Sequence, residues 1–571
     1  MHGRVKVRTV AEQAEAKKKE KEKKLQAYNA ALEKIFEKRN NQILDEEGLK
    51  LSLEVLLANP DFYTLWNFRK DIFFSLKESR PTEELQKLYE EELHFIESCL
   101  RVNPKSYGTW DHRTFVMNNI PQADWKRELF LCNKFLEYDE RNFHCWDYRR
   151  FVVKNSTNIT IQDEFDFTTD KISSNFSNYS SWHYRSKLLP LLQPDPEQPA
   201  GVKEEALLKE FEIVQNAIFT DPDDQSAWFY HKWLLGRGEI KLDLLHVVII
   251  RKSKRVVVNV TKPIHLVDTP YKIQLEVNGN TITDKWQNPF DTNLHSPVWI
   301  MLLPDGIMST DDTMEISVKL LNDSETISSC LLTMKSSMKQ ASYHSTTVKP
   351  AAIFSSELTA AKSAILEQEL QSIQELLELE TENKWAILTV VQLMKSLDSI
   401  RYATEIKNNL EKLQSIDPKR ERYYNDFGSK IVIENQIKTM DPLESMLQLN
   451  NLSLTAAYHM EYLLILQDLD VSHNHITNVK NFAYLQCLEV LNLDDNQLDN
   501  VDGLEFLPSI VSISLRRNFL ANLEVLRPLQ RCKTLVMLCL DGNPLFASSG
   551  MPHMFVCLSS IQMSIIPKNF P

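Results

Sequence analysis

Three rhythms of apolar and polar residues follow one another along the chain. The first is helical. Residues 9–40, TVAEQAEAKKKEKEKKLQAYNAALEKIFEKRN, contain neither Gly nor Pro and are rich in Ala, Glu and Lys. That composition predicts one helix, with the mixed Lys/Glu run at 17–24 as a solvated face. From about 41 to 241 one sentence recurs five times: NPDFYTLWNFR (59–69), NPKSYGTWDHR (103–113), DERNFHCWDYR (139–149), NFSNYSSWHYR (175–185) and DPDDQSAWFYH (221–231). Each copy opens with Asn or Asp and places Trp seven residues later, at Trp66, Trp110, Trp146, Trp182 and Trp228. Arg follows by three in the first four copies (Arg69, Arg113, Arg149, Arg185), and His231 stands there in the fifth. Asn-Pro and Asp-Pro read as a helix cap followed by a first-turn proline, so the sentence opens a helix. Tyr, Trp and Arg at i, i+3 and i+6 then share a broad face. Trp is expected to fill the space between stacked helices. Arg is expected to lie over an aromatic ring or bond a neighbouring carbonyl. Amphipathic stretches between the copies, 83–102 and 124–138, make each repeat a helix pair.

The second rhythm alternates. Residues 242–345 are β-branched, with an Asn-Gly turn at 278–279. Roughly seven short strands are predicted, which fits an immunoglobulin-like β-sandwich. Helical periodicity returns over 346–441, where Trp385 reads as a degenerate sixth copy of the Trp sentence. The sandwich is therefore inserted into the helical array or looped out of it. The third rhythm spans 442–571: Leu-x-x-Leu-x-Leu-x-x-Asn-x-Leu recurs with Asn474, Asn496, Asn518 and Asn543 at spacings of 22, 22 and 25. This is a leucine-rich repeat with a strand in each copy, and MLQLNNLSL (446–454) is a poorer first copy. The expected fold is mainly α. It comprises a right-handed α–α superhelical solenoid over 1–241, the β-sandwich over 242–345, a helical continuation over 346–441 and leucine-rich repeats over 442–571.

Composition narrows the function. Of 571 residues, 43% are hydrophobic and 25% charged, with a net charge of −13; this opposes a general nucleic-acid binder. Eight cysteines form no Cys-x-x-Cys, so zinc ribbons and thioredoxin-like sites are not supported. No signal-like or membrane-length apolar run occurs, and a cytoplasmic chain with reduced thiols is expected. With 12 glycines and no P-loop, Gly-x-Gly-x-x-Gly, Gly-x-Ser-x-Gly or His-Glu-x-x-His, the common enzyme motifs are absent. His112, His183 and His231 stand at different offsets from Trp and form no row, so they read as core or surface histidines. His473 and His475, beside a leucine-rich Asn, read as surface.

The repeat sentence resembles that of protein prenyltransferase α subunits, Asn-Pro-x-x-Tyr-x-x-Trp-x-x-Arg; NPKSYGTWDHR and ERNFHCWDYR are especially similar. Within that family, an immunoglobulin-like insert and a C-terminal leucine-rich domain are similar to the Rab geranylgeranyltransferase branch. The resemblance implies a heterodimer whose β subunit, not this chain, holds the catalytic Zn2+ and the isoprenoid pocket. It implies transfer of geranylgeranyl from geranylgeranyl diphosphate to C-terminal cysteines of Rab GTPases, brought by the Rab escort protein. It also implies that Lys105, directly after Asn-Pro of the second copy, lies at the diphosphate end of that pocket, with Tyr107 and His144. Lys70 is not equivalent to Lys105. Tyr107 has a competing reading as a repeat core aromatic, because Tyr63 and Tyr179 occupy the same slot. No metal site is expected from this chain alone, apart from His2 as an autoinhibitory ligand for the partner's zinc. A different class of reading, a non-enzymatic adaptor of tetratricopeptide-like and leucine-rich repeats, is opposed by Trp spacings of 44, 36, 36 and 46 where that repeat holds 34.

Overall fold

The computed structural model describes residues 11–195, 201–236, 241–290, 294–307, 313–348, 353–354, 363–546 and 556–557. The chain forms two compact units, one ending at Pro194 and one beginning at Asp195.

The first unit is helical: α1 (Ala11–Asn40), α2 (Glu46–Ala58), α3 (Tyr63–Ser79), α4 (Thr82–Val102), α5 (Tyr107–Asn119), α6 (Trp125–Tyr138), α7 (Phe143–Asn155), α8 (Ile161–Ser174) and α9 (Tyr179–Leu192). Side chains at 18–24 of α1 are exposed, as the charge run requires. The Trp sentence opens α3, α5, α7 and α9, and its four indoles are buried. A buried indole N–H needs an acceptor. Each finds the carbonyl six residues back: Pro60, Pro104, Glu140 and Phe176, at 2.7–2.9 Å. The opening turn is thus closed by its own Trp.

The Arg of the sentence does both things expected of it. Arg69 donates to the Leu49 carbonyl at 2.5 Å, and Arg149 and Arg185 lie over Phe167 and Phe165 at 3.5 and 3.8 Å. Its main partner was not expected: a buried glutamate on the next helix. Arg69 pairs with Glu92, Arg113 with Glu128 and Arg149 with Glu164. The following repeat supplies a second donor to each carboxylate. These are His112 Nε2 to Glu92 at 2.8 Å, the Tyr148 hydroxyl to Glu128 at 2.6 Å, and Tyr184 to Glu164. Burial alone would raise the Glu92 pKa, but Arg69 and His112 outweigh it and hold it at about 2. Burial pushes the His112 pKa down, so the neutral imidazole donates Nε2–H to an ionised carboxylate. Each glutamate therefore stitches one repeat to the next.

The second unit begins with α10 (Glu204–Thr220) and α11 (Gln225–Leu235). Trp228 Nε1 again donates six residues back, to Pro222 at 2.8 Å, and Tyr230 donates to Glu210 at 2.6 Å. His231, in the Arg slot, is buried and reaches Glu369 at 2.7 Å. Glu369 lies beyond the sandwich, on the helix Ser363–Leu379, so the helical array closes across the insertion. The sixth copy is present, but Trp385 is not its Trp. Asn383 caps the helix Lys384–Asp398 and donates to the Pro222 carbonyl at 2.9 Å, as Asn142 does to Pro104. That register puts Ile387, fully buried, in the Trp slot.

The insertion is a sandwich of two antiparallel sheets. One has the order β5 (Ser296–Leu302), β2 (Arg255–Ile264), β1 (Leu244–Ile250), β8 (Gln340–His344); the other β4 (Asn280–Ile282), β3 (Tyr271–Val277), β6 (Met314–Asn322), β7 (Glu325–Met334). Asn278 and Gly279 both take positive φ in the β3–β4 hairpin, the twist-matched turn expected from Asn-Gly. All seven residues of β1 are buried. Val247 and Ile249 face the sandwich core. Val248 and Ile250, with Val257, Val298 and Ile300, pack on Leu464, Ile465 and Cys487 of the leucine-rich part. Arg255 adds a hydrogen bond to Gln486 at 2.8 Å. In the leucine-rich part, β9 (Met446–Gln448), β10 (Asp468–Asp470), β11 (Val490–Asn492), β12 (Ser512–Ser514) and β13 (Met537–Cys539) run parallel, and β14 (Val556–Cys557) pairs antiparallel with β13. β9 makes 446–454 a genuine first copy. The Asn side chains form the inner ladder: Asn496 Nδ2 donates to Val471 O at 3.0 Å and Asn518 Nδ2 to Leu493 O at 2.9 Å. His473 and His475 are exposed.

On the sandwich, buried His246 faces His344 with Nδ1–Nδ1 at 2.9 Å. Burial, then His344, lowers the His246 pKa from 6.5 to about 3. The folded value lies below the unfolded one, so the stabilising contribution is complete above about 6.5 and is lost as pH falls toward 3. Urea unfolding of the wild type is expected to shift to a lower midpoint between pH 7 and pH 5. His246→Phe is expected to flatten that shift, and equal pH slopes in the two proteins would contradict the assignment.

Candidate functional site

The opening loops of the second and third repeats, 103–106 and 139–142, lie side by side in the first unit. Each is an Asx turn made by its first residue: Asn103 Oδ1 accepts from Lys105 N–H and Asp139 Oδ1 from Arg141 N–H, both at 3.1 Å. Ser106 then caps α5, and Asn142 caps α7 by accepting from the N–H groups of His144 and Cys145. Asn142 Nδ2 also donates to the Pro104 carbonyl at 2.9 Å, tying the loops together.

These two caps aim three sequence-selected side chains at one patch. Lys105 is 62% exposed, and its Nζ lies 3.0 Å from Asp139 Oδ2. Tyr107 is 71% exposed. Its ring meets His144 edge-on at 4.2 Å and Phe143 at 6.0 Å. His144 is buried beneath them, 7% exposed. Burial lowers its pKa; Asp147 opposes the shift and the Lys105 charge adds to it, so near neutral pH the imidazole is uncharged. The patch therefore combines an exposed cation, an exposed phenol and a neutral imidazole, a set suited to an anion carrying several oxygens.

The reading of the Tyr107 slot as a core aromatic is corrected. Tyr63, Tyr107, Phe143 and Tyr179 are all about half exposed or more. Each is the first residue of its helix, and its side chain projects past the helix end, where no preceding turn covers it. Directly after Tyr107, Gly108 lets α5 approach the buried Trp66: a Cβ there would meet Trp66 Cδ1 at 2.7 Å. Gly108→Ala is expected to destabilise the chain by about 1–3 kcal/mol, measured by chemical denaturation; an unchanged midpoint would show that the indole moves aside freely.

The sequence reading missed Asp139. Its signal was legible as Asp where the first, second and fourth copies open with Asn. Among the histidines, His112 and His231 are buried partners of Glu92 and Glu369, whereas His183 is exposed and stacks on Tyr179. Among the described residues, no group of three His, Cys, Asp or Glu is placed to hold a metal ion, and no helix is long and apolar enough to cross a membrane. His2 lies outside the described residues.

The helical repeats are those of a prenyltransferase alpha subunit. The protein prenyltransferase alpha subunit repeat matches five times, at 45–76, 89–120, 125–156, 161–192 and 207–238. The insert domain of Rab geranylgeranyl transferase alpha subunits matches 244–340. The chain is 43% identical over 555 residues to the human geranylgeranyl transferase type-2 subunit alpha, covering 96% of this chain and 97% of that one. It is 42% identical over 566 residues to the bovine protein, covering 98% and 99%. The Dictyostelium discoideum subunit is 44% identical over 239 residues, covering 41% of this chain and 75% of its own length. The chain belongs to the geranylgeranyl transferase type-2 (Rab geranylgeranyl transferase) alpha-subunit family and is a transferase subunit. This sets the adaptor reading aside.

Proposed function

We propose that this chain pairs with a β subunit and lends Lys105, Tyr107 and His144 to the diphosphate end of a shared pocket. There, geranylgeranyl passes from geranylgeranyl diphosphate to C-terminal cysteines of Rab GTPases delivered by the Rab escort protein. The cysteine thiol gives up its proton and its sulfur forms the C–S bond as the C–O bond to diphosphate breaks, and that bonding pair leaves with the diphosphate oxygen. Negative charge grows on that oxygen as the bond stretches, so a cation and fixed O–H or N–H donors aimed at it lower the barrier. Lys105 supplies the cation. Tyr107 offers its phenolic O–H from an exposed ring, and neutral His144 buttresses that ring from below. The supporting observation is the packing of Tyr107 on His144, with Lys105 on the adjoining loop.

The β subunit's zinc would activate the acceptor thiol. Among this chain's described residues no His, Cys, Asp or Glu group is placed to hold such an ion, and the part proposed for this chain is at the leaving group. The test is reconstitution. Co-expression with the β subunit is expected to yield a heterodimer that moves labelled geranylgeranyl onto a Rab–escort complex, while this chain alone moves none. A well-formed heterodimer without transfer would contradict the reading.

A further inference from the structure

The opening loops of the first unit lock to one another by a common rule. The opening residue turns one side-chain oxygen onto the N–H two residues ahead, at Asn103, Asp139 and Asn175 alike. Its other polar atom reaches the preceding loop. Asn103 Nδ2 donates to Asp61 Oδ2 at 2.9 Å, and Asn175 Nδ2 donates to Glu140 Oε2 at 3.0 Å. At the junction between the second and third repeats the polarity is inverted. There the opening residue, Asp139, accepts, and the preceding loop supplies a cation, Lys105 Nζ, at 3.0 Å. Asn at 139 would close the turn as it does at 103 and 175, so the turn has no need of a carboxylate. The distinct partner of the Asp139 charge is Lys105.

We propose that Asp139 is a positioning residue for the leaving group: a built-in counter-ion that holds the Lys105 ammonium beside His144 while the site is empty, and competes with a diphosphate for it. The inference rests on the proposed role of Lys105. Its physical content is differential binding. A group that occupies Lys105 in the resting state weakens the hold on bound substrate and on released diphosphate. As charge develops on the leaving oxygen, the anion outcompetes the single carboxylate, and the ammonium acts where charge appears. Asp139 also gives the site a means of releasing its inorganic product.

Inorganic diphosphate serves as the probe, as a competitive inhibitor of transfer by the purified heterodimer at low ionic strength. Asp139→Asn keeps the turn and removes the counter-charge. It is expected to tighten inhibition about threefold, the scale of an exposed ion pair, without raising the maximal rate. Asp139→Glu is expected to restore the wild-type inhibition constant. In a Lys105→Ala background Asp139→Asn is expected to change nothing. A role confined to locking the loops would lower the melting temperature and leave diphosphate inhibition unchanged or weaker, and that result overturns the proposal. So does an equal tightening in the Lys105→Ala background. If Lys105→Ala alone leaves diphosphate inhibition untouched, the diphosphate reading of the patch fails and this inference with it. If Lys105→Ala weakens inhibition but Asp139→Asn does not tighten it, only the role of Asp139 falls.

Discussion

Glu128→Ala is expected to cost about 3–5 kcal/mol of folding stability, the scale for breaking a buried ion pair from one side. Both Glu128 oxygens accept from Arg113 at 2.6 Å, and one also accepts from the Tyr148 hydroxyl at 2.6 Å. Arg113 is fully buried. Without the carboxylate its guanidinium keeps, among the described residues, the Leu93 carbonyl at 3.1 Å and the face of the Tyr148 ring at 6.0 Å, and a charge is left in a low-dielectric interior. Loss of the attraction is the smaller part of the effect; the unrecovered desolvation of Arg113 is the larger. Two comparisons separate these. Replacing both partners, Arg113→Met with Glu128→Leu, is expected to recover most of the loss, because no buried charge then remains. Glu97→Ala removes a pair in which Arg101 is 73% exposed, and is expected to stay within about 0.5 kcal/mol. Urea unfolding of the three variants measures this. A Glu128→Ala midpoint equal to that of Glu97→Ala would show that the glutamate rungs do not hold the repeats together.

Those rungs mark where the sequence stops being readable. Trp and Arg recur at fixed places within each copy, so the buried face follows from spacing, but the helix starts do not. Asn59, Asn103 and Asp221, read as N-caps, end the preceding helices, and α3, α5 and α11 begin four residues later, at Tyr63, Tyr107 and Gln225. The glutamates sit at no fixed distance: Glu92 lies 23 residues beyond its Arg, whereas Glu128 and Glu164 lie 15 beyond theirs. Within amphipathic helices already rich in Glu, nothing local distinguishes a buried one. The Trp385 register was misread for a related reason. Trp there is the conspicuous residue, but the cap, Asn383, sets the phase and makes Ile387 the core position. In sequence, residues 242–345 read as alternating, whereas both faces of β1 are buried along LLHVVII, where only His246 breaks the apolar residues. The surface receiving it comes from Leu464, Ile465 and Cys487, some 200 residues later.

The candidate patch was legible as residue identities and not as geometry. Lys105, Tyr107 and His144 stand in two different copies, and their convergence depends on adjacent loops tied by Asn142 to the Pro104 carbonyl. Asp139 escaped notice because Asn and Asp are interchangeable as turn formers. The contact across the junction is what sets Asp139 apart: its carboxylate faces the Lys105 ammonium at 3.0 Å.

Lys105→Ala in the heterodimer tests most directly whether this chain contributes to departure of the diphosphate. Lys105 is well exposed and makes one surface ion pair, so its removal is expected to change folding and subunit assembly by no more than about 0.5 kcal/mol. A cation aimed at a developing oxyanion contributes far more, and the single-turnover transfer rate is expected to fall about 10–100-fold. Transfer measured beside heterodimer affinity decides the matter. A large loss of rate with assembly intact is the predicted result. An unchanged rate, or parallel loss of rate and assembly, would contradict the account.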